Sequence, residues 1–272
     1  MAESTTAGAA LRTGAAALTA EVRKGLANQV AHPLGHLITL AISVMMYLGL
    51  QYVMGQGELR GDLLPATLVA IGAYWFLQYS GQVMVADLIE EKRSGTFAGA
   101  LMSPAPAWVP MLGRLATATV FALPVAALAS LVPALVAGID VPWRSQALVP
   151  YLLLAANILA FTFVMAAVAI RSPAIGALHS LLTSLVLMLN GAFMPLSLYP
   201  DWLAFTARLL PTTLEIEAIT KALFEDESLK AMWTGGTLPL ALAHTAALAA
   251  LGGWVLRRNV RLALVEGRTG QY

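Results

Sequence analysis

Long apolar runs decide what this chain can fold into. Stretches near residues 34–54, 63–85, 109–139, 148–170, 174–194 and 238–256 come close to, reach or exceed the length at which an α-helix crosses a bilayer, about 20 residues. Only 11% of the 272 residues are charged and 58% are hydrophobic. A soluble domain carries about 25% charged residues, so this surface cannot face mostly water. The expected fold is all-α: a polytopic membrane protein with six transmembrane helices at those positions. Without a cysteine, disulfides, thiolate metal sites and cysteine nucleophiles are excluded.

The connecting pieces fill in the plan. Residues 1–15 are small and weakly patterned, without a compact apolar core and cleavage site, so a disordered cytoplasmic tail is expected rather than a cleaved signal. Over 16–33, Leu18, Val22, Leu26 and Val30 recur every four residues. They outline an amphipathic helix in the interface plane, with Arg23 and Lys24 toward anionic headgroups. Arg114, one turn inside the third run, is placed to snorkel back to the headgroups. Between runs five and six, Trp202, Phe205 and Leu209, then Ile216, Ile219 and Leu223, mark two short amphipathic helices, too charged to span. Residues 257–272 form a second tail. With six crossings both ends share a side, and that side carries 11 of the 16 Lys and Arg residues. The positive-inside rule makes it cytoplasmic and puts the two short helices outside.

The richest stretch is 87–110, DLIEEKRSGTFAGALMSPAPAWVP. Asp87, Glu90, Glu91, Lys92 and Arg93 continue the helical phase of the second run past its apolar end. Gly95 suits a helix C-cap, since it adopts the left-handed conformation without penalty. Thr96 can N-cap a very short second helix, which Pro104 ends. Phe97 and Leu101, four apart, form an apolar knob on it. On the cytoplasmic side this is a docking handle for a soluble partner, although a charge run alone equally fits a solvated connector.

This stretch resembles the loop between the second and third spans of type-2 ATP-binding-cassette (ABC-2) exporter permeases. The family pattern is Glu-Arg-Glu-x-Gly-Thr-Leu-Glu, then a Leu, then Ser/Thr-Pro. Glu91, Lys92, Gly95, Thr96, Phe97, Leu101, Ser103 and Pro104 fit it, while Arg93 and Ala98 stand where the family has acids. A second segment, NGAFMPLSLYPDWLAFTARLLPTTLEIEAI from Asn190, is similar to the family's end of span five and its extracellular helices. Gly191, Phe193, Pro195, Pro200, Trp202, Leu203, Pro211 and Thr212 match there. The resemblance implies a permease that pairs with a second, identical or different, permease and docks cytoplasmic ABC ATPase subunits in the cell (inner) membrane. ATP and Mg would reside on those subunits, with Glu90–Arg93, Gly95–Phe97, Leu101, Ser103 and Pro104 as the coupling contact.

The chain shows no Gly-x-x-x-x-Gly-Lys-Ser/Thr phosphate cradle, so no cofactor is expected on it. Its four histidines are scattered and form no metal site, and no nucleic-acid partner is expected. No Asp or Glu falls inside a proposed span, which counts against an ion-gradient carrier, the main alternative. An intramembrane serine protease lacks a glycine two residues before Ser80 and a partnered histidine. Trp75, Gln78, Tyr79 and Gln82 share a polar, aromatic region of the second run. With Asn190 and Phe193 they are the candidate substrate path, the commoner alternative being hydrogen bonds within the bundle. The lack of buried charge points to a hydrophobic or amphipathic cargo (drug, antibiotic or lipid-linked compound), hence efflux and antibiotic resistance.

Overall fold

The computed structural model describes residues 2–31, 33–59, 64–101, 108–142, 144–172 and 174–266. Among them the chain is all helix and turn: α1 (Ala2–Val30), α2 (Pro33–Met54), α3 (Leu64–Arg93), α4 (Thr96–Leu101), α5 (Trp108–Ala137), α6 (Leu148–Ala169), α7 (Ile175–Leu189), α8 (Asp201–Arg208), α9 (Thr213–Phe224), α10 (Leu229–Thr234) and α11 (Thr237–Glu266). Among the described residues four helical stretches are long and apolar enough to cross a membrane: Pro33–Met54, Trp108–Ala137, Ser145–Ala169 and Thr237–Val265.

Each of the six apolar runs forms the body of one helix, and two of these helices fall outside that set for different reasons. α3 is 30 residues long, about 45 Å at 1.5 Å per residue, but Tyr74, Trp75, Gln78, Tyr79 and Gln82 dilute its hydropathy. α7 has 15 residues, about 22 Å, because it stops at Leu189 instead of continuing to 194. The stop is a side-chain event. Asn190 Nδ2 donates to Ala70 O at 3.1 Å, and its Oδ1 accepts Ala192 N at 3.0 Å, so the amide diverts the backbone there.

α3 is the axis of the bundle. Leu68, Ile71, Leu77, Met84 and Leu88 along it are at most 3% exposed, and it packs on α5, α6, α7 and α9. Lipid is as apolar as leucine, so helices in a bilayer associate by close van der Waals packing of small residues. α5 supplies such a stripe in Ala118, Ala122, Ala126 and Ala129, all buried. Pro124 and Pro133 lie inside α5 without ending it. α11 packs chiefly along α6.

The helix limits differ from the periodicity at both ends of the chain. α1 begins at Ala2 rather than near 16, because the alanine-rich start has high helix propensity without any apolar stripe. α11 runs to Glu266, past the expected end at 256, since no breaker interrupts its Arg/Leu/Val tail. Between α7 and α11 there are three short helices, not two. α8 leaves Trp202, Phe205 and Leu209 more than 60% exposed. α9 does not lie along a surface: eight of its twelve residues are buried, against α3, α6 and α11.

Candidate functional site

The turn after α3 is built as its residues dictate. Ser94 N donates to Glu90 O at 2.9 Å and Gly95 N to Lys92 O at 3.2 Å, closing the helix with Gly95 at φ +74°. A side chain there would strain that left-handed backbone. Thr96 does not sit outside α4 as a cap. It is the first helical residue, and its hydroxyl pairs with Ser94 Oγ at 2.9 Å and reaches back to Glu91 O at 3.4 Å.

The charged residues here divide into two sets. Glu90, Arg93, Ser94, Gly95 and Thr96 are exposed. Glu91, Lys92 and Phe97 are 8%, 7% and 1% exposed, which makes them anchors and not contact residues. Lys92 Nζ donates to Ala169 O at 2.7 Å and Ile170 O at 2.5 Å, capping the C-terminal carbonyls of α6, where a cation also meets the negative end of the helix dipole. Phe97 is no exposed knob. It folds under Lys92, whose ammonium lies 5.9 Å from its ring centre. Leu101 ends α4, and Ser103 and Pro104 lie outside the described residues.

Glu91 is the hub. Its Oε1 accepts Lys24 Nζ at 2.6 Å and its Oε2 accepts Arg114 Nη2 at 2.5 Å. Arg114 also lies 3.7 Å from Glu21 and, at 3% exposed, turns into the protein instead of snorkelling outward. The same ion network ties Lys24 of α1 to Glu91, although its side chain stays 62% exposed. Steric fit reinforces it: a Cβ on Gly25 would meet Thr117 Cγ2 and Oγ1 at 2.6 Å, and one on Gly113 would meet Glu21 Cβ at 2.7 Å. α1 is therefore clamped onto α3 and α5, with Leu18 and Val30 of its apolar stripe left exposed.

A cavity of about 580 Å³ opens between these helices, lined by Lys24, Asn28, Asp87, Glu90, Arg114 and Thr117 among others. Burial lowers the affinity of Lys24 for its proton, but the hydrogen bond and charge of Glu91 outweigh this and raise its pKa. Burial likewise raises the Asp87 carboxyl, against the opposing pull of Arg114 and Lys24. Among the described residues no three His, Asp or Glu side chains converge to hold a metal.

The proposed path residues do not line one route. Tyr79 is an anchor, its hydroxyl donating to Gln29 Oε1 at 3.1 Å and meeting His36 Nδ1. His36 in turn stacks on Phe121 at 5.5 Å and bonds Gln29 O, fixing the corner between α1 and α2. Asn190 is fully buried and holds the end of α7. Gln82 is exposed and Phe193 half-buried. Trp75 Nε1 and Gln78 Oε1 remain buried without partners, one turn apart on α3.

A second polar cluster joins α6, α9 and α11, where sequence reasoning assigned nothing. Glu215 of α9 is fully buried and accepts Thr245 Oγ1 of α11 at 3.1 Å. Asn157 of α6 donates to Thr245 at 3.1 Å and meets His244 Nδ1 at 3.2 Å. On the wheel Glu215 looks solvent-facing, and only the contact of α9 with α6 and α11 reverses that.

A family model described as ABC-2 type transporter matches residues 17–224, well over half of the chain. The match takes in the Lys24–Glu91–Arg114 clamp, the turn after α3 and all of α9. No curated protein matches the chain.

Proposed function

Because this chain belongs to the ABC-2 type transporter family, a multi-pass permease and not itself an ATPase, we propose that it is the membrane subunit of an ATP-driven exporter. In this reading separate ABC ATPase subunits, carrying ATP and Mg, dock on the exposed 90–96 turn. The protein spans the cell membrane six times through α2, α3, α5, α6, α7 and α11, with both termini cytoplasmic and α8–α10 outside. It works with a second permease chain and moves a hydrophobic or amphipathic molecule outward.

One observation carries the reading: the 90–96 turn is exposed at its tip while its base is locked into three other helices. A push on Glu90, Arg93 or Thr96 is then delivered through Glu91 to α1 and α5 and through Lys92 to α6. α3, a rod of about 45 Å that also packs on α9, carries the displacement to the outer helices. The test is ATP-dependent transport in vesicles with the partner ATPase and a panel of apolar cargoes. Glu90→Arg with Arg93→Glu should leave ATP hydrolysis running and abolish transport; unaffected transport refutes the docking role.

An ion-gradient carrier is the second reading, and Glu215 favours it, since a carboxyl is buried against two membrane-length helices. Transport driven by a pH or sodium gradient without ATP would support that reading over the first.

A further inference from the structure

The buried cluster on α9 has a specific imbalance. Glu215 Oε2 has no partner, and neither do the hydroxyls of Thr212 and Thr213, three and two residues before it. All three residues are 0% exposed. Thr212 N is held by Asn157 Oδ1 at 3.3 Å, and Thr212 adopts φ +83°, a costly conformation for a β-branched residue. The start of α9 is thus fixed by its contacts with α6 and α11 even though three of its oxygens are unpaired.

The chemistry of these oxygens selects what completes them. An ionised Glu215 would leave Oε2 as a buried acceptor without a donor, which is strongly unfavourable. The charged side chains nearby are engaged elsewhere. Arg208 of α8 pairs with Glu217 at 3.2 Å, and Lys221 lies 3.8 Å from both Glu217 and Glu227. Arg144, before α6, pairs with Asp226. α3 and α6 bring no charge to act on Glu215, and α11 contributes only His244, through Asn157. A hard metal cation wants about six or more oxygens, and three are free. A proton on Oε2 instead removes the charge that burial makes costly, while Oε1 keeps its bond from Thr245 Oγ1 at 3.1 Å.

We propose that Glu215, buried beside Thr245 with no cation against it among the described residues, is a proton-binding site, and that its neutral form seats the first turn of α9 between α6 and α11. Burial, partly offset by hydrogen bonds to the carboxyl, pushes Glu215 up to about 7, so the site empties and fills near neutrality. α9 then seats firmly in the protonated form and loosens when the proton leaves. The proposal does not depend on ATPase docking.

Infrared spectra of the full chain in proteoliposomes test it directly. At mildly acidic pH the wild type should show a protonated-carboxyl C=O band that Glu215→Gln lacks. The band should vanish as pH rises through neutrality and be indifferent to sodium or potassium at fixed pH. Thr245→Val, which removes the bond to Oε1, should shift the band without abolishing it and guards against misfolding of the Gln variant. His244→Asn should retain it, separating the carboxyl from imidazole titration. No such band, a band titrating in the ordinary carboxylate range, or one displaced by sodium at fixed pH overturns the proposal.

Discussion

Replacing Glu91 by glutamine should release α1 from the bundle. The carboxylate joins two cations of unequal burial. Lys24 has a side chain 62% exposed, so its bond to Glu91 is screened by solvent and contributes at most about 1 kcal/mol. Arg114 is 3% exposed, and its other carboxylate, Glu21, stands at 3.7 Å. Removing one partner of a buried pair costs about 3–5 kcal/mol, because the remaining charge stays buried and uncompensated. Glu91→Gln is therefore expected to destabilise by roughly that amount, and Lys24→Ala by under about 1 kcal/mol. Replacing both buried charges, Glu91→Gln with Arg114→Met, should recover most of the loss, to within about 1–2 kcal/mol of wild type. Thermal unfolding in detergent gives the ranking. Hydrogen exchange on residues 14–30 locates the effect, since α1 amides should lose protection in the single variant and regain it in the double. A double variant no better than Glu91→Gln, or a Lys24→Ala loss equal to it, would refute the buried-pair account.

The remaining expectations concern other joints. Gly25→Val should push α1 off Thr117 and cost about 1–3 kcal/mol, with partial recovery in Gly25→Val/Thr117→Ala by thermal unfolding. Lys92→Met leaves the Ala169 and Ile170 carbonyls without their donor and should cost about 1–3 kcal/mol, read as faster exchange at the end of α6. The Glu215 carboxyl sits above its ordinary 4.5, at about 7, so its contribution to stability is fully present below about pH 4.5 and is lost as pH rises through 7. The loss is about 3 kcal/mol at most. Melting curves of the wild type should fall across that window relative to Glu215→Gln; parallel curves would contradict it.

How much of this was legible depends on how local each determinant is. The long helices followed from apolar runs, and the Gly95 turn from one residue's freedom at positive φ; both are encoded within a few neighbours. The inward turn of Arg114 was not legible, because its partner Glu91 is on another helix and a basic residue near a span end ordinarily reaches for headgroups. Lys24 meets Glu91 across 67 residues, a pairing with no local signature. Phe97 and Leu101 form an apolar pair at helical spacing, but nothing in the spacing says that Phe97 is covered by Lys92. The early stop of α7 rests on Asn190 finding Ala70, 120 residues away. Glu215 was missed for the same reason: α9 has an evident apolar face, yet its other face is also covered.

The central claim is that the 90–96 turn is where a nucleotide-hydrolysing partner pushes. The chain has no cysteine, so single cysteines can be placed without background. With the cognate ATPase subunits in native membranes, cysteines at Glu90, Arg93 and Thr96 should cross-link to the ATPase, with yields that change between ATP-bound and nucleotide-free states. Cysteines at Trp202 and Phe205 on α8 should not. Cross-links from α8 and none from the turn would contradict the account.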